Sequence, residues 1–66
     1  MPDYEVLIGK SIGIALIEIS AGGSFEDFVY DLSVESIPLP AADLLKVFAI
    51  AKIVIETLKE SGVEII

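Results

Sequence analysis

The side chains that could do chemistry in this chain are few, and most are acidic. Glu26, Asp27, Asp31 and Glu35 place four carboxylates within ten residues, a supply of oxygen donors suited to a hard cation or to acid-base work. If the segment is a strand, Asp27 and Asp31 stand about 13 to 14 Å apart, too far to share one ion. A solvated acidic face is therefore the expectation, with a metal-dependent enzyme using Asp27 and Asp31 only a third reading, and neither catalytic nor metal residues are assigned. Gly9-Lys10-Ser11 has the ending of a phosphate-binding loop, but the position that needs a further glycine is Tyr4, so it reads as a turn with a solvated lysine. Phe25, Phe28 and Phe48 could line a pocket for a small apolar ligand, against the plainer reading that they pack the core.

The residues assigned to partner binding are Leu45, Ala49 and Ile53. Their i, i+4, i+8 spacing puts them on one line of a helix, on the side that otherwise carries Lys46, Lys52 and Glu56. A helix packed against one layer does not need that second apolar line. The composition gives it a use: 55% of the 66 residues are apolar before five glycines are counted, against roughly 45 to 50% with glycine in an ordinary soluble domain. A chain this short buries only about 60% of its unfolded surface, so part of the apolar excess is expected to meet another molecule.

Several function classes are disfavoured. The sequence contains no His, Cys, Arg, Trp, Asn or Gln. It therefore offers no thiolate nucleophile, disulfide, side chain of near-neutral intrinsic pKa or bidentate phosphate clamp. The net charge of −7 opposes nucleic-acid binding, which draws its affinity from neutralised phosphates. The acidity is uneven, with seven acids and one lysine in residues 1–39 against four acids and three lysines in residues 40–66. No uncharged run approaches the roughly 18 residues of a membrane span. The acidic start, Met1-Pro2-Asp3-Tyr4-Glu5, is unlike a secretory signal, so a cytoplasmic location is expected. Eleven isoleucines with Glu/Lys usage hint at a thermophilic source.

The elements follow from periodicity. Pro40 suits a helix start and Gly62 a stop, and between them Leu44, Val47, Phe48, Ile50, Ala51, Val54, Ile55 and Leu58 form one broad core stripe. Phe28 to Ser36 alternates, with Phe28, Tyr30, Leu32 and Val34 on one side, and predicts an amphipathic strand. A helical reading competes, because Phe25, Phe28, Val29 and Leu32 also keep helical spacing and Ser24 with Asp27 resembles a capping box. Ile12 to Ile19, apolar except for Glu18, predicts a buried strand, joined to the next by a hairpin through Ala21-Gly22-Gly23-Ser24. Tyr4 to Ile8 predicts a further strand, and Val63 to Ile66 is a candidate short final one.

The expected architecture is thus a single α+β domain over residues 1–66, a small antiparallel sheet in the order βββα with one long C-terminal helix on one face. If Ser11 to Ala21 is helical instead, stopped by Gly22, the order becomes βαβαβ. In that order Val6-Leu7-Ile8-Gly9-Lys10, Ala49 to Val54 and Val63-Glu64-Ile65 resemble fragments of the Alba family of archaeal chromatin proteins. The resemblance implies nucleic-acid binding, which the charge contradicts, and it is not adopted. The functional expectation is a small acidic homo-oligomeric structural or protein-interaction module rather than an enzyme. Its partner would be itself or a protein with a basic surface; the alternative is a binding protein for a small apolar ligand. No cofactor is expected.

Overall fold

The computed structural model describes residues 3–62, and over them the chain is helical throughout its regular structure: α1 Tyr4–Ser20, α2 Phe25–Val34 and α3 Ala41–Glu60. The expected α+β sheet is overturned, and the βαβαβ alternative with it, because no strand occurs among the described residues. The candidate final strand, Val63 to Ile66, lies outside them.

Residues 4–20 join into one helix instead of two strands, and their most buried positions follow the helical period. Ser11 and Ala15, one turn apart, are both 0% exposed. Small side chains on that line let α3 approach closely, while Ile8, Ile12 and Ile19 flank the contact half-buried. Asp3 caps the start, its carboxylate accepting the Glu5 N–H at 2.9 Å. At the other end Gly22 adopts φ +83°, its N–H donates to the Ile19 carbonyl, and the Gly23 N–H donates to the Glu18 carbonyl at 2.8 Å. Those paired bonds are a Schellman stop. The two glycines end a helix; they do not turn a hairpin.

The next helix begins one residue later. Ser24 Oγ accepts the Asp27 N–H at 3.3 Å, and Asp27 Oδ2 accepts the Ser24 N–H at 2.9 Å, a reciprocal cap. This overturns the strand expected over Phe28 to Ser36. Of the four residues assigned to its inner side, Phe28 and Leu32 are buried, whereas Tyr30 and Val34 are exposed, so the period is helical. Ser36 takes the left-handed conformation at φ 56°, and the Ile37 N–H reaches back to the Leu32 carbonyl at 3.0 Å. Pro38 and Pro40 carry the chain over to α3, with Ile37 and Leu39 tucked half-buried against the core.

The last helix falls where Pro40 and Gly62 place it. Val47, Ala51 and Ile55 are buried and Leu44, Phe48 and Leu58 half-buried, but Ile50 and Val54, also assigned to the core stripe, are exposed. Two observations show that α1 and α3 run parallel. Near their starts the Tyr4 hydroxyl donates to Asp43 Oδ2 at 2.6 Å, and near their ends Leu16 and Ser20 line a groove together with Val54 and Leu58. The short α2 must then return along them. Ten residues span only about 15 Å, so α2 covers one side of the pair and leaves the rest open.

Candidate interaction surfaces

Two of the acidic residues of α2, Asp27 and Asp31, are already engaged locally, while Glu26 and the C-cap Glu35 are exposed. Asp27 serves the Ser24 cap, and Asp31 lies beside Glu18 of α1. A hydrogen bond to Asp31 is the main cause that lifts the Glu18 carboxyl above its ordinary 4.5, followed by desolvation and by repulsion from Asp31 and then Asp27. On a helix Asp27 and Asp31 are one turn apart, not the distance a strand would impose. Even so, among the described residues no group of three or more Asp and Glu side chains is placed to hold a metal ion. Lys10 is exposed on α1, and Ser11 is buried with its hydroxyl donating to the Leu7 carbonyl at 2.7 Å, so Gly9-Lys10-Ser11 forms helix and not a loop.

The three phenylalanines come together as a packed cluster. Ring centroids lie 5.4 Å apart for Phe25 and Phe48, 5.5 Å for Phe28 and Phe48, and 6.2 Å for Phe25 and Phe28, with Phe25 and Phe48 edge to face. They fill one another's space. A groove of about 460 Å³ does exist, but elsewhere: Leu16, Ile17, Ser20 and Ala21 of α1 and its end face Val54, Ile55 and Leu58 of α3, and none of the three phenylalanines lines it. Sequence reasoning missed this groove because Val54 and Leu58 looked like covered core, and the brevity of α2 leaves this end of the α1 and α3 pair open.

Leu45, Ala49 and Ile53 are all exposed, Leu45 at 60% and Ile53 at 63%. At 100° per residue Ala49 and Ile53 lie on the outer side of α3, about 120° and 160° from Ile55, with Leu45 at its edge about 80° away. Ile50 adjoins them, half of its surface open. Lys46, Lys52, Glu56, Thr57 and Glu60 share this side and are exposed too. Large apolar side chains scattered singly are ordinary on a surface; here Leu45, Ile50 and Ile53 gather with Ala49 into a strip on one side of α3, with Lys46 among them. No helix of the described residues is long and apolar enough to cross a membrane. No protein family model, curated protein or solved structure matches this chain.

Proposed function

We propose that this chain is a self-associating structural or protein-interaction module, and that Leu45, Ala49 and Ile53 form its contact surface. The observation that carries the reading is the exposed apolar strip along the outside of α3. A helix whose inner side is already committed to a core gains nothing within its own subunit from Leu45 and Ile53. Covering them removes apolar surface from water at about 25 cal/mol per Å². The net charge of −7 keeps such a chain soluble while its contact strip stays apolar.

Two substitutions on one helix test it. Ile55 is 3% exposed and faces α1, so Ile55→Glu puts an unpaired carboxylate in the core and should cost the fold. Ile53→Glu should keep the helical circular dichroism of the wild type and lower its mass in sedimentation. Loss of fold in both, or an unchanged mass in Ile53→Glu, would overturn the assignment. A second reading rests on the groove between α1 and α3, whose size of about 460 Å³ suits a small apolar ligand. Native mass spectrometry of freshly purified protein distinguishes it, since a retained ligand adds a discrete mass.

A further inference from the structure

The occupant of the α3 strip can be read from two charges, Lys46 and Glu60, that lie in line with Ile53. Lys46, Ile53 and Glu60 are spaced by sevens, so they fall within about 40° of one another around the helix, with Ile53 in the middle. All three are exposed. The two charged residues lie about 10 Å to either side of Ile53 along the axis and have opposite sign. That arrangement is complementary to itself when reversed.

From this symmetry we infer that the partner on the strip is a second copy of this chain, with its α3 antiparallel across a two-fold axis at Ile53. Ile53 then packs on the partner's Ile53, Ala49 lies opposite the partner's Thr57, and Lys46 meets the partner's Glu60 at each end. A parallel pair would set Lys46 against the partner's Lys46 and Glu60 against the partner's Glu60, and like charges face to face oppose association. The antiparallel pair brings two chains of net charge −7 together with each Lys46 against a carboxylate, while Glu56 lies opposite the partner's Ile50. An isologous contact of this kind closes as a dimer. The inference rests on the self-association proposed above and adds its orientation and register.

Charge reversal separates this arrangement from simple net-charge effects. Lys46→Glu makes the chain more acidic, and Glu60→Lys makes it less so. If only overall repulsion mattered, Glu60→Lys would tighten the dimer. In the antiparallel register both single variants place like charges opposite each other at both ends, and each should raise the dimer dissociation constant about tenfold or more. The double variant K46E/E60K restores both pairs at the original net charge and should return to near wild-type affinity. Sedimentation equilibrium reads the constants, and circular dichroism confirms that these surface variants keep their helices.

Because the chain contains no cysteine, a single introduced thiol gives an independent readout. Ile53→Cys should oxidise to a covalent dimer, whereas Lys46→Cys should not, since the two copies of position 46 stand roughly 20 Å apart along the pair. Efficient cross-linking through Lys46→Cys, or a tighter dimer from Glu60→Lys, would overturn the register while leaving self-association intact. A wild type that sediments as a monomer would defeat both.

Discussion

Ser36 is the residue whose replacement tests the helical account of α2 most sharply. Its φ of 56° is left-handed, at the position one past the C-cap Glu35 where glycine is favoured, and the Ser36 and Ile37 N–H groups close the stop on Ser33 and Leu32. For a residue with a Cβ that conformation costs roughly 1 to 2 kcal/mol. Glycine avoids the cost but gives back about 0.5 to 1 kcal/mol through the greater freedom of the unfolded chain. Ser36→Gly should therefore stabilise the fold by about 0.5 to 1 kcal/mol. With an unfolding entropy of about 2.1 cal/mol/K per residue, a chain of 66 residues should melt about 4 to 7 °C higher. Thermal unfolding followed by circular dichroism at 222 nm, at one fixed protein concentration, is the assay. An unchanged or lower melting temperature would refute the reasoning, because position 36 would then not sit in a left-handed helix stop.

The aromatic cluster sets a second expectation: Phe28 is 0% exposed, and Phe28→Ala should cost about 3 to 5 kcal/mol, a large share of the roughly 3 to 10 kcal/mol available to a chain of this length. Urea unfolding should show a largely unfolded variant, and a midpoint near the wild type would mean that Phe28 is not in the core. The Glu18 carboxyl supplies a pH expectation. Its folded-state pKa is raised above 4.5, so its contribution to stability is fully present below 4.5 and is lost as pH rises through the higher folded value. Glu18→Gln should thus melt higher than wild type at pH 7 and gain less on acidification, and parallel melting curves against pH for the two proteins would contradict the Glu18 and Asp31 contact.

How much of this was legible in the sequence varied by element. The bounds of α3 could be read because Pro40, Gly62 and a stripe of eight apolar residues all agree. Residues 25–34 satisfy both periods, since Phe28 and Leu32 are inward under either one. The deciding signal was Ser24 with Asp27, a cap with a physical cause, and not the aromatic and β-branched content that favoured a strand. Residues 12–19 carry almost no periodicity because isoleucine sits on nearly every side, and a continuous apolar run does not distinguish a buried strand from a helix. Gly22 as a helix stop belongs only to the alternative order, and the bonds of Gly22 and Gly23 show that this stop fixes the segment as the end of one long helix. The outward side of α3 at Leu45, Ala49 and Ile53 followed from its wheel alone. The exposure of Ile50 and Val54 did not, because it depends on how far α2 reaches, a tertiary fact with no local signature.

Self-association is the central claim, and the mass of the unmodified protein tests it most directly. Sedimentation equilibrium over roughly 1 to 100 μM should give a concentration-dependent mass that rises toward twice 7.1 kDa. A constant 7.1 kDa across that range would contradict it.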